Sequence, residues 1–182
     1  MPRNHFALEF LEPLGRIEEA LQELRAAEKD DPLSPEVYQR LANVLIVLGR
    51  YDDAVAYTMK MPPDSSLTDT WLGRAWFFQG RTPDAIEILR RKPSPSAYLG
   101  FVYGRSGRRA EAEEVAAHLE KPDDQAIAFA GMGEKDRAVA ALERATSLGP
   151  LRLGRVLVYP EMAILRGDPR VKAVRKKVGL PN

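Results

Sequence analysis

The 182-residue chain contains no cysteine. That excludes a disulfide framework, a thiolate metal site and a cysteine nucleophile, and it permits a reducing compartment. Histidine is nearly absent as well: His5 and His118 stand far apart, and neither has a second imidazole one helical turn away, as a helical metal site requires. Long apolar runs are missing too. The first fifteen residues hold Arg3, His5, Glu9, Glu12 and Pro13, so they form neither a signal-peptide core nor a spanning helix, and the chain is expected to be a soluble, cytoplasmic one with no membrane span. A dinucleotide loop is also lacking, because Gly131-Met132-Gly133 has two glycines of the three and follows no strand; it reads as a helix end. The paired acids Glu18-Glu19, Asp52-Asp53, Glu113-Glu114 and Asp123-Asp124 point in different directions on a helix, so they read as partners of helix dipoles rather than acid/base pairs. No catalytic constellation, metal site or cofactor is expected.

What is present is apolar content and a repeated joint. Hydrophobic residues make up 45% of the chain, ample for a core. The net charge of +1 hides an asymmetry, since residues 151–182 carry eight Lys or Arg against only Glu161 and Asp168. Such a segment reads as a solvated helix face, or as a contact with nucleic acid, an acidic membrane surface or an acidic domain.

The joint is Leu48-Gly49-Arg50-Tyr51-Asp52-Asp53-Ala54, with copies at Gly15–Ala20, Gly80–Ala85, Gly107–Ala112 and Gly133–Ala138. Gly and Ala are five apart in every copy. A helix that ends in a left-handed residue prefers Gly, because a Cβ strains there. Acids before the Ala fall in the first turn of the next helix, where the dipole favours them, and the Ala lets two antiparallel helices approach. Joints succeed one another by 34, 31, 27 and 26 residues, a period that marks stacked helical hairpins.

In this pattern the chain resembles a tetratricopeptide repeat (TPR) protein. With each joint Gly as repeat position 15, small residues belong at 8 and 20 and large apolar ones at 7, 11 and 24. Leu41, Ala42, Leu45 and Ala54 fit in the second repeat; Leu72, Gly73, Trp76, Ala85 and Leu89 fit in the third. The first repeat has Leu8 where a small residue is usual. The resemblance implies an all-α, right-handed superhelical solenoid of about five hairpins over residues 1–150, with residues 151–182 as a basic C-terminal cap. The hairpins are expected at about 4–12 and 16–30, 35–48 and 51–61, 69–79 and 83–91, 95–106 and 108–120, and 122–132 and 134–148.

Within that frame, Phe6, Phe10 and Leu11 are expected on the apolar side of the first helix. A polar link covers Asp64 to Thr68. Ser34-Pro35, Thr82-Pro83, Ser94-Pro95 and Asp168-Pro169 each place a capping side chain before a Pro at the first helical position. Pro160 to Arg166 forms one or two turns, and a last helix runs from the Asp168 cap to near Val178, with Gly179 beyond it. The segment from Gly133 through Leu165-Arg166-Gly167-Asp168-Pro169-Arg170 to Gly179-Leu180-Pro181 is similar to the C-terminal end of TPR regions in bacterial multidomain signalling and transcriptional regulator proteins. It departs from them at Val171, where an aromatic is usual.

By the same resemblance the first helices line a concave groove for a protein or peptide partner. The groove residues would be Gln39, Asn43, Ile46, Thr70, Arg74, Phe77, Phe101 and Arg105, with amides and Arg on the partner's backbone or carboxylates and the Phe rings on apolar anchors. The chaperone-carboxylate clamp is excluded, since only Asn43 fits it and Gln39, Trp71, Ser94 and Tyr98 occupy the other places. The expected function is therefore a non-enzymatic interaction scaffold. The alternatives are homo-oligomerisation through an exposed end and nucleic-acid contact through the basic tail.

Overall fold

A computed structural model describes residues 2–63, 66–91 and 96–181. Among them the chain is all-helical, with twelve α-helices and no strand, and it separates into two compact units, residues 1–91 and 92–182.

The first unit runs α1 (Arg3–Phe6), a π-helical turn (Ala7–Leu11), α2 (Ile17–Asp30), α3 (Pro35–Val47), α4 (Tyr51–Thr58), α5 (Ser66–Phe78) and α6 (Thr82–Arg90). The second runs α7 (Ala97–Arg105), α8 (Arg109–Ala117), α9 (Pro122–Gly131), α10 (Lys135–Arg144) with a 3-10 turn at Ala145–Leu148, α11 (Gly149–Val158), a 3-10 segment at Pro160–Leu165, and α12 (Pro169–Lys177). Expected elements thus form close to their expected bounds. One addition is α11, which begins at Gly149-Pro150, where the sequence suggests only an end. Residues 151–182 pack on α9 and α10 within the second unit. At the other end of the range, α5 starts at Ser66, inside the stretch expected to be a link; Asp64 and Ser65 lie outside the described residues.

The joints are as the glycines demand. Gly15, Gly49, Gly80, Gly107 and Gly133 all have positive φ, between 75° and 83°. At the second joint the Gly49 N–H donates to the Ile46 carbonyl (3.0 Å) and the Arg50 N–H to the Leu45 carbonyl (2.8 Å), the paired closure of a helix end through a left-handed residue. The Arg81, Arg108 and Glu134 amides repeat the second of these bonds onto Trp76, Tyr103 and Phe129. Five residues after each Gly, Ala20, Ala54, Ala85, Ala112 and Ala138 are completely buried. The Arg that follows four of the glycines reaches the acid three residues on, as Arg50 does to Asp53 at 2.9 Å and Arg81 to Asp84 at 2.8 Å. The Arg16–Glu19, Arg50–Asp53 and Arg81–Asp84 pairs are exposed and contribute little stability, while Arg108–Glu111 is partly buried. The guanidiniums of Arg81 and Arg108 also cover the Trp76 and Tyr103 rings, at 4.5 and 4.6 Å.

The π-helical turn accounts for the odd first repeat. In the other four repeats the small residue (Ala42, Gly73, Gly100, Ala126) stands seven before the joint Gly; in the first, the fully buried Ala7 stands eight before Gly15. A π turn accommodates one extra residue per turn, so Ala7 takes the small place and Leu8 is half-buried. The same insertion corrects the expected apolar side: Leu11 is buried, but Phe6 and Phe10 stack on each other at 5.7 Å and are 39% and 48% exposed.

Of the proline-marked caps, Ser34 accepts from the Val37 N–H and Asp168 from the Arg170 N–H. Thr82 is instead the first residue of α6, whose preceding Arg81 supplies no side-chain cap. Ser94-Pro95 lies outside the described residues, and α7 starts after Ser96.

Candidate functional site: the first-helix faces

The first helices carry the eight residues expected to meet a partner, and the structure divides them. In the first unit Asn43, Ile46, Thr70 and Arg74 are buried, Arg74 to 1% exposure, while Gln39 and Phe77 are half-buried. In the second unit Phe101 is buried; Arg105, at the end of α7, is exposed and has no hydrogen bond or ion pair among the described residues. The expectation that Asn43, Ile46, Thr70, Arg74 and Phe101 offer their side chains to a partner is corrected accordingly.

Physical reasons for the burial are specific. Asn43 Nδ2 donates to Glu12 Oε2 (3.0 Å), and Arg74 Nη1 donates to Asn43 Oδ1 (3.0 Å). Glu12 follows the π turn, Asn43 is on α3 and Arg74 is on α5, so one amide bridges a carboxylate and a guanidinium that come from different hairpins. All three are buried, and the Arg74 guanidinium lies 5.0 Å from the Trp71 ring centre. A buried charge is tolerated only when it is paired and hydrogen-bonded; the amide, with both a donor and an acceptor, meets both ends. Sequence reasoning missed this chain, although the even spacing of 31 residues between its members was a signal.

Phe101 is buried because α7 and α9 come into backbone contact. A Cβ added to Gly131 would lie 2.4 Å from the Phe101 Cα, and one added to Gly104 would lie 2.5 Å from the Met132 amide nitrogen. Nearby, buried Asp123 at the start of α9 accepts from Arg152 Nε of α11. Hydrogen bonding to that carboxylate raises the Arg152 pKa.

Among the described residues, no cluster of three or more His, Asp or Glu side chains could hold a metal ion. The Asp168 pKa is lowered to about 2 by its hydrogen bonds from the Arg170 side chain and backbone. Tyr57 is raised to about 12, first by burial and then by its bond to Glu28 (2.8 Å). Glu113 is lowered by Arg137, which reaches across from α10. Among the described residues no helix is long and apolar enough to cross a membrane.

Comparison with known proteins agrees with this architecture. Two family models, each described as tetratricopeptide repeat, match residues 14–67 in one case and 67–91 with 93–118 in the other. Tetratricopeptide repeats are therefore present in this chain, and that fold is generally a scaffold for protein–protein interaction. Among solved structures, a thermophilic TPR protein of Thermus thermophilus superposes with a TM-score of 0.63 at 23% identity, over 86% of this chain and 96% of that one. The Cut9–Hcn1 hetero-tetramer of the APC/C contributes a second likeness: TM-score 0.52, 17% identity, 91% of this chain but 40% of the other. At these identities the likeness is one of fold. No curated protein matches the sequence.

Proposed function

We propose that the protein is a non-catalytic scaffold that holds a segment of a protein partner against its first helices. Gln39 and Phe77 of the first unit, and Arg105 of the second, are the side chains offered. Within each unit, the buried residues of its own first helices are the framework rather than the contact. The observation that carries this reading is the Glu12–Asn43–Arg74 chain, which ties successive first helices together and so presents Gln39 and Phe77 on a rigid face. Preorganised side chains lose little entropy on binding. Such a scaffold fits a sensor or interaction region of a bacterial, cytoplasmic signalling system, the setting suggested by the resemblance of residues 133–181.

Affinity capture from the source cells tests it. The Gln39→Ala/Phe77→Ala double variant and the Arg105→Ala variant should each retain full helicity and lose captured partner. Undiminished capture by both would remove these faces from consideration, and a captured set without signalling proteins would remove the bacterial regulatory setting.

Self-association is a second reading, favoured by the stacked and exposed Phe6 and Phe10 beside Leu14, which is 37% exposed. Sedimentation across a concentration range decides it, since a sedimentation coefficient that does not rise with concentration excludes this reading.

A further inference from the structure

The first unit contains a cavity of about 490 Å³ that none of the groove positions lines. Its walls come from the end of α4 and the turn after it (Met59, Met61, Pro63), from α5 (Thr68, Asp69, Leu72, Trp76) and from α6 with its flanks (Arg81, Asp84, Glu87, Ile88, Arg91). At about 100° per residue, positions 68, 69, 72 and 76 centre roughly 150° around α5 from positions 70, 74 and 77. This is a different face from the one that carries Phe77.

Chemically the cavity is layered. Met61, Leu72 and Ile88 are buried and form an apolar floor, while Arg81, Glu87 and Arg91 are exposed at the mouth. Met59, also on the wall, is 67% exposed, and the neighbouring Leu67 is 43% exposed. Two methionines on an open apolar recess make an adaptable surface, since an unbranched thioether can repack around different side chains. The charges at the mouth do not balance. Arg81 donates to Asp84 at 2.8 Å and covers the Trp76 ring at 4.5 Å, and Arg91 stands 3.6 Å from Glu87. Both guanidiniums are committed. Asp69, half-buried, has no ion pair or hydrogen bond among the described residues.

From this we infer that the cavity between α4, α5 and α6 is an anchoring site for a partner segment in which a bulky apolar side chain is followed, within one helical turn, by Lys or Arg. The apolar side chain enters between Met59, Leu72 and Ile88, and the cation pairs with Asp69. The buried part of the lining offers only two polar groups, the Thr68 hydroxyl, which donates to the Pro62 carbonyl at 2.7 Å, and the Trp76 indole N–H; the remaining polar groups are the charges, so an apolar side chain with a cation beside it is the better match. This inference rests on the scaffold reading but uses a separate surface.

The probe is a displayed library of short random peptides, selected on the full chain. Enriched peptides should pair Leu, Met or Phe with a nearby Lys or Arg. A synthesised winner should shift the methyl resonances of Met59 and Met61 on binding. Its affinity should fall at least about tenfold in Asp69→Lys, where two like charges oppose, and in Met59→Glu, and it should be unchanged in Phe77→Ala. Met59 and Asp69 are not core residues, and circular dichroism confirms that both variants fold. The inference is overturned by enrichment of peptides without a cation, by binding indifferent to Asp69→Lys, by selection of no peptide, or by saturable uptake of an uncharged apolar dye without any peptide. Loss of partner capture in the Gln39→Ala/Phe77→Ala variant with no peptide held here would sink this site and leave the scaffold standing; peptide binding here with undiminished capture would do the reverse.

Discussion

Replacement of Gly131 by Ala should destabilise the second unit, although every local consideration favours it. Gly131 ends α9 with a φ outside the positive range, so alanine is compatible with its backbone, and a helical Gly→Ala change ordinarily gains about 0.5–1 kcal/mol. The opposing effect is steric. The added Cβ would stand 2.4, 2.5 and 2.8 Å from the Cα, carbonyl oxygen and carbonyl carbon of Phe101. Ordinary carbon contacts lie at about 3.5–4.0 Å, so α7 and α9 would have to part by about 1 Å. Backbone atoms cannot rotate aside as a side chain does, which places the cost at the upper end of the usual overpacking range of about 1–3 kcal/mol. Net destabilisation of about 2 kcal/mol remains, a drop of several degrees in Tm. Thermal unfolding followed by far-ultraviolet circular dichroism measures it. Since both tryptophans, Trp71 and Trp76, belong to the first unit, dichroism rather than fluorescence is the appropriate signal. Gly104→Ala should behave alike, and the double variant should lose less than the sum, because the first added Cβ already separates the helices. Gly100→Ala, whose Cβ would meet Ala128 Cβ at 3.0 Å and Val115 Cγ1 at 3.1 Å, should cost least. A Tm for Gly131→Ala at or above the wild-type value would refute the close approach of α7 to α9.

The remaining predictions concern the polar interior, a joint and pH. Arg74→Met should cost about 3 kcal/mol by leaving Glu12 charged and buried, and adding Glu12→Gln should restore part of the loss; denaturant unfolding in which the second change only adds to the damage would contradict the pairing. Gly107→Ala should cost about 1–2 kcal/mol through backbone strain alone, since φ is 76° and nothing lies within 4 Å of the new Cβ; a neutral effect on chemical denaturation would show the joint to be relaxed. Tyr57 should ionise near pH 12, two units after ordinary tyrosines, in a spectrophotometric titration compared with Tyr57→Phe. Because its folded pKa is raised, the stability it contributes is full below about pH 10 and is lost as pH rises through about 12; ionisation near 10 would mean that burial and the Glu28 bond are absent.

Much of the fold was legible because its grammar is local. A left-handed Gly, a buried Ala five residues later and an acid in the intervening first turn are relations within a single joint, and all five joints obey the first two. Ser34 and Asp168 were readable as caps for the same reason, whereas Thr82 was not, since one residue of slippage at the Gly80–Arg81 joint places it inside α6. The candidate site was less legible. Repeat positions indicate which side of a first helix a residue occupies, but not whether a charge from another hairpin will neutralise it there. Gln39, Phe77 and Arg105 remain accessible; Asn43 and Arg74 do not.

Sequence alone thus determined the repeated hairpin, its turn chemistry and the small residues at its crossings, all of which follow from backbone sterics over a handful of neighbouring residues. Tertiary structure decided the π turn that moves Ala7 into the place of Leu8, the burial of Glu12, Asn43 and Arg74 as one hydrogen-bonded chain, the contact of α7 with α9 at Gly104 and Gly131, and the Met-lined cavity beside Asp69. Each of these depends on distances between residues remote in the chain. Such distances come from the packing of whole helices, which no local pattern encodes.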